Sequence, residues 1–297
     1  MRRLFLIVPV LLVAAGVWAV ASGQDQELAR WAAGWQREFQ NALAGGLRAL
    51  RAGEPGAVAA LLGLCFAYGF FHALGPGHGK FLIGGYGVSH DVPLLRLSTI
   101  SLLSSLGQAV TAVLLVLTGL FLLGWTRTRL TDTAETIMLP LSAAAIGLIG
   151  VWLALRGARR LWRLRPSAHT GHDHACHAGC THRHGPSVEE VRHAGGLRDA
   201  LALIGGIAIR PCSGAILLLV LTWHMGILAA GIAGTFAMAT GTAALTILVA
   251  ASSVFVRRST LLSLAETRHA AYVLPAIEVL AGAAILLLSV QMAGLAA

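Results

Sequence analysis

The stretch Phe71-His72-Ala73-Leu74-Gly75-Pro76-Gly77-His78-Gly79-Lys80 places two imidazoles and an amine inside an apolar run. Ala57 to Phe71 before it and Phe81 to Val88 after it are almost wholly apolar. Pro76 lacks a backbone donor and the glycines favour non-helical geometry, so a helix through this region must break. Non-helical backbone at membrane depth survives only inside protein or beside a water-filled cavity. Ionisable groups in such a place line a pathway more often than they merely pack. Two histidines flanking a Gly-Pro-Gly break therefore point to a cation site built on a broken helix, with Lys80 beside it.

A second concentration of chemistry lies far along the chain. The segment His169-Thr-Gly-His172-Asp173-His174-Ala-Cys176-His177-Ala-Gly-Cys180-Thr-His182-Arg-His184 holds six histidines, two cysteines and an aspartate. It cannot form an apolar core, and a bias of this kind signals metal binding. Imidazole suits nickel, cobalt, zinc and copper, and thiolate favours the softer ions. The spacing matches no fixed zinc-finger pattern, so the segment reads as a flexible loop that binds several ions.

The elements that must carry these residues are membrane helices. Of 297 residues, 56% are hydrophobic and 12% charged, with mean hydropathy +0.74, against the roughly 25% charged of soluble domains. Apolar runs long enough to span lie near Leu4–Ala21, Ala57–Leu74 (or on to Val88), Ile100–Trp125, Ile137–Leu155, Leu201–Trp223, Ile227–Val256 and Tyr272–Met292. Arg2-Arg3, an apolar core and Ala19-Val20-Ala21 let the first act as a cleaved signal or a retained span. With the N-terminus inside, fifteen Lys and Arg fall on the cytoplasmic side and six outside, and Arg210 lies within a helix. That asymmetry predicts an N-inside, C-outside topology. It also accounts for a net charge of +9 without nucleic acid, leaving the bilayer as the partner. Cys65 and Cys212 fall in apolar helices, and Cys176 and Cys180 in a reducing compartment, so no disulfide framework is expected.

The expected organisation is a signal or transmembrane segment over 1–22, an extracytoplasmic amphipathic segment over 23–56, a three-helix half over 57–155, a cytoplasmic His-rich loop over 156–198 and a second three-helix half over 199–297. In the second segment, Trp31, Trp35 and Phe39 share one helical face and should pack on the bundle. The loop opens with Arg156, Arg159, Arg160, Arg163 and Arg165, a collar suited to anionic headgroups. The second half opens on another break, Arg210-Pro211-Cys212-Ser213-Gly214. Aligning Pro211 with Pro76 also aligns Gly214 with Gly79. Each half then holds a broken helix, a hydroxyl-rich helix and a plainer third. Three helices per half force opposite orientations, an inverted repeat with its site at the interface. The fold class is thus an all-α integral membrane protein with a six-helix core plus the N-terminal segment. Gln108, on the first hydroxyl-rich helix, could offer a carbonyl ligand. Glu278, buried in the last span, needs a partner or a function, and Arg210 is the expected partner of an ion pair.

The H-A-L-G-P-G-H-G-K signature, the His-rich loop and the proline-centred second break resemble the NicO-type nickel/cobalt transporters from about Ala57 onward. The resemblance implies secondary transport of Ni(II) and Co(II) across a bacterial inner membrane, with metal as substrate and no tightly bound cofactor, and no enzyme activity. It implies His72 and His78 as the metal-handling residues. A related nickel permease family carries an H-x4-D-H helix motif that is absent here. A cytoplasmic histidine reservoir gathers metal where an exporter draws it, so export is the expectation and uptake the alternative. Oligomeric state is not legible. A membrane thiol relay is a distant third: the position matching Cys212 is Gly77, and Cys65 lies three turns before that. Neither H-E-x-x-H nor a Gly-x-Ser-Gly is present for an intramembrane protease.

Overall fold

The computed structural model describes residues 24–75, 78–164, 197–264 and 270–294, and the described part is helical throughout. The N-terminal segment 1–22, Pro76, Gly77 and the His-rich loop lie outside the described residues. Ten α-helices follow in order: α1 Gln24–Arg51, α2 Ala57–Leu74, α3 His78–Ser89, α4 Leu94–Leu117, α5 Arg127–Thr133, α6 Leu139–Arg163, α7 Leu197–Ala208, α8 Ser213–His224, α9 Leu228–Leu264 and α10 Ala270–Gly294. A π turn at Thr118–Leu122 extends α4, and another at Ala134–Met138 joins α5 to α6.

Among the described residues four stretches are long and apolar enough to cross a membrane: Ala57–Leu74, Leu94–Leu122, Arg127–Arg163 and Leu228–Ser259. A fifth arises if α7 and α8, bent by 57° at their break, count as one. The last helix, Ala270–Gly294, carries an apolar stretch over Pro275–Gln291. The chain is a multi-pass membrane protein.

The two halves interlock. Helices α2 and α3 pack on α9, α7 packs on α4, α4 packs on α9, and α6 lies along α10. Glycines set the closest approaches. A Cβ at Gly241 of α9 would run into the carbonyl of Phe66, and one at Gly69 of α2 into that of Met238. The α6–α10 pair is equally tight, with a Cβ at Gly150 only 2.9 Å from the Gly282 carbonyl. Small residues at such crossings let backbones meet where water no longer drives association. Two buried clusters result. One surrounds Leu61, Tyr68, Leu130 and Leu219; the other surrounds Leu82, Leu97, Leu153 and Leu203.

Helix α1 folds back along α2 through the turn at Gly53 and Gly56, whose φ values of 74° and 79° only glycine adopts without strain. The expectation that its aromatics pack on the bundle is met at one residue. Phe71 lies 5.8 Å from Trp31, 5.9 Å from Trp35 and 5.2 Å from Phe39, ring centre to ring centre.

Candidate metal pathway

Where α2 ends, the carbonyls of Ala73, Leu74 and Gly75 lose their helical partners. Lys80 folds back and donates to all three, at 3.3, 2.8 and 2.5 Å. The freed carbonyls thus face the chain's own ammonium. Where α7 ends, the carbonyls of Gly206 and Ile207 are taken by neutral side chains: Ser142 Oγ donates to the first at 2.7 Å and Gln108 Nε2 to the second at 3.2 Å. Gln108 therefore serves the second break through its amide nitrogen.

The breaks adjoin. Gly79, in the first turn of α3, packs on the Ile207 side chain, and Gly214, in the first turn of α8, packs on the Tyr68 ring. Between them lies a cavity of about 190 Å³ lined by His72, Lys80, Gln108, Arg210, Cys212 and Glu135 among others. Pro211 also lines it, and Ser101, Ser104, Ser105, Thr131, Ser142, Ser213, Thr242 and Thr246 add hydroxyl-bearing residues to its wall. His72 stacks parallel on Tyr68 at 5.8 Å and interacts with the Cys212 side chain. Its Nδ1 is buried without a hydrogen-bond partner. A buried polar atom left unmatched costs about 1–3 kcal/mol.

The structure thus gathers His72, Lys80, Gln108, Arg210, Pro211, Cys212 and Ser213 around one cavity. His78 opens α3, but its side chain lies outside the described residues. So do His169, His172, Asp173, His174, Cys176, His177, Cys180, His182 and His184. Among the described residues no three His, Cys, Asp or Glu side chains converge as a ready metal centre.

Glu278 is not with this group, and the expected ion pair with Arg210 does not form. Glu278 sits 1% exposed on α10 and accepts from Arg160 Nη1 of α6 at 2.7 Å. The cause is the α6–α10 pairing, which brings the arginine collar, not the second break, alongside the acid. Arg210 instead feels Cys212 and, after it, Glu135, both on the cavity wall. The sequence reading missed Glu135 because it lies just before the apolar run it was meant to delimit. It also missed Tyr68, whose hydroxyl accepts from Gln36 Nε2 at 3.1 Å and Gln40 Nε2 at 3.2 Å.

At the end of the bundle where α6 finishes, His90 stacks on Tyr86 at 4.2 Å and accepts from Arg156 Nη1 at 2.6 Å. Burial first, and the nearby Arg156 guanidinium second, push its pKa down to about 3.

A family model described as "NicO: High-affinity nickel-transport protein" matches residues 58–194. A curated relative from Haemophilus influenzae, named "Putative nickel/cobalt efflux system", is 30% identical over 230 residues, covering 71% of this chain and 70% of its own. The chain belongs to the NicO family. Members of this nickel/cobalt transport family carry metal ions as substrate, and the multi-pass helical architecture accords with that. No solved structure matches the chain.

Proposed function

We propose that this NicO protein exports Ni(II) and Co(II) across a bacterial inner membrane, passing the ion through the cavity between its two helix breaks. The observation that carries this reading is the buried, partnerless Nδ1 of His72 at the wall of that cavity. His78 is assigned to the same path from its place beside the break. The cations already in the cavity need not repel the metal: three carbonyls surround the Lys80 ammonium, and Glu135 opposes Arg210.

An inverted repeat of two three-helix halves underlies this path. It is supported by paired contacts across the halves. Gln108 of α4 donates to Ile207 of the second broken helix, and Thr242 of α9 donates to Gly69 of the first at 3.1 Å. Gly107 and Gly241 face the same two broken helices. In this topology the N-terminus and the loop His169–His184 are cytoplasmic and the C-terminus periplasmic. The loop gathers metal for export, which agrees with the name borne by the Haemophilus relative.

Radiolabelled nickel accumulation tests the reading. Cells expressing the protein should hold less nickel than cells lacking it, and His72→Ala should erase the difference at equal membrane abundance. Deleting 168–185 should impair transport at low metal and spare much of it at high metal. If His72→Ala still protects, the site is elsewhere; if the loop deletion is as severe at every concentration, the loop belongs to the path itself.

A further inference from the structure

We propose that Cys212 is a metal ligand of the transport site, held beside His72 by Tyr68 and, through Tyr68, by Gln36 and Gln40 of α1. The inference rests on the cavity being the metal path and adds to it a sulfur donor, and hence a basis for selecting borderline divalent ions over hard ones.

The second break places Cys212 as the residue before α8, with φ −72° and ψ 129°. From there its side chain lines the cavity and meets three groups at once. His72 contacts it from the last turn of α2. The Tyr68 hydroxyl contacts it from one turn earlier on the same helix. The first amides of α8, at Gly214 and Ala215, approach it from behind. A helix N-terminus favours negative charge, which suits a sulfur that must be thiolate to bind metal.

A lone thiol at a helix start would carry no weight. The second observation is His72 itself, a residue of the same cavity wall whose Nδ1 is buried and unmatched. A neutral imidazole and a thiolate on the wall of one polar cavity offer two donors of the kinds that borderline divalent ions take. The remaining positions fall to water or the cavity hydroxyls.

The Tyr68–Gln36–Gln40 set explains an otherwise odd feature. Tyr68 is fully buried, yet its hydroxyl accepts from two glutamines that α1 brings to it. With its lone pairs thus occupied, the hydroxyl has its hydrogen left for the sulfur. Gly214 leaves room for the ring, since a Cβ there would overlap it. Tyr68 and the glutamines are positioning residues. Cys65 takes no part: it is buried against Gly234 and Leu218.

The full-length chain carrying Cys176→Ser and Cys180→Ser, purified in detergent and titrated with Co(II), should develop a near-ultraviolet thiolate-to-cobalt band. Cys65→Ser should leave the band intact and Cys212→Ser should abolish it. Tyr68→Phe should weaken the apparent Co(II) affinity at least about threefold while keeping the band. In cells, Cys212→Ser should lower nickel tolerance at least tenfold, and Cys212→His, which restores a ligand, should recover most of it. Should Cys212→Ser fail to fold, the chain with Cys212 as sole cysteine should show Ni(II) protecting that thiol from N-ethylmaleimide. A band that survives Cys212→Ser, or a thiol that Ni(II) does not protect, overturns the inference. His72→Ala in the tolerance assay separates the two ideas: if it loses tolerance while the band survives Cys212→Ser, only the inference fails. If His72→Ala keeps tolerance, the proposed function fails.

Discussion

The two helix breaks solve one physical problem with different chemistry. Each leaves carbonyls without amide partners in a place where water is scarce. At the first, a lysine five residues beyond Gly75 closes the gap from within its own segment. At the second, Ser142 and Gln108 close it from α6 and α4. The first break is therefore self-contained and carries a fixed positive charge. The second is uncharged at its carbonyl end and tied to its neighbours. The difference also places the soft donors. Cys212 sits at the amide end of the second break, and His72 comes from the last turn before the first.

The largest test concerns what holds the first broken helix in place. Gly241→Ala should gain about 1 kcal/mol of helix propensity. It should lose far more, because the new methyl meets the Phe66 carbonyl, a backbone atom that cannot turn away. We expect loss of folded protein or at least about 3 kcal/mol of destabilisation, read as recovery of monodisperse protein and thermal unfolding in detergent. Wild-type behaviour would mean that α2 and α9 do not cross as closely as the comparison requires.

The next effect addresses the donors themselves. Lys80→Met strips one charged donor from three carbonyls and should cost about 2–4 kcal/mol, with Lys80→Arg recovering part of it. Gln108→Leu removes one neutral donor at the second break and should cost about 1 kcal/mol. Equal costs in the same unfolding assay would erase the asymmetry between the breaks.

How far this arrangement was legible in the sequence follows from the kind of signal each part leaves. Both breaks were readable, because Pro76 and Pro211 with their glycines are local and few conformations suit them. The helices were readable as apolar runs, though α4, α6 and α7 extend several residues past those runs into polar turns that composition alone excludes. What escaped depends on which helix lies beside which. Pairing Glu278 with Arg210 assumed that two intramembrane charges meet, whereas the α6–α10 contact hands Glu278 to Arg160. Tyr68 looked like one more aromatic in an apolar helix until α1 brought Gln36 and Gln40 to it. Glu135 escaped because a π turn carries it onto the cavity rim.

Acid should act on the first half. The first broken helix ends at His90, which stays neutral against Arg156, with Arg160 and Arg257 also near. Its folded pKa of about 3 lies below the ordinary value near 6.5. The unfolded chain therefore takes up a proton between these limits that the folded chain refuses. The neutral histidine's contribution is complete above about pH 6.5 and is lost as the pH falls toward 3. From pH 7 to 5 the loss should be about 2 kcal/mol. His90→Gln keeps an acceptor for Arg156 without the titration, so it should flatten the pH dependence of unfolding over this range. A slope unchanged by that substitution would assign the acid sensitivity to another group.

The smallest effect is the most discriminating, because it probes the crossing that mirrors Gly241. Gly107 of α4 faces Ala208 at the end of α7, and a new methyl there would lie 2.7 Å from the alanine Cβ. That is too close, but the obstacle is a side-chain methyl on a 12-residue helix next to a break. An alanine Cβ moves only with its backbone, so the crowding is relieved only if that end of α7 moves away by more than half an ångström. Overpacking of about 1–3 kcal/mol then outweighs a helix-propensity gain of about 1 kcal/mol. Gly107→Ala should therefore cost less than about 2 kcal/mol of stability. The shift should still register at the Gln108–Ile207 hydrogen bond one residue away, as reduced transport in a chain that folds normally. If Gly107→Ala unfolds the protein as Gly241→Ala does, the second break is as rigidly seated as the first, and the difference between them is confined to the charge of Lys80.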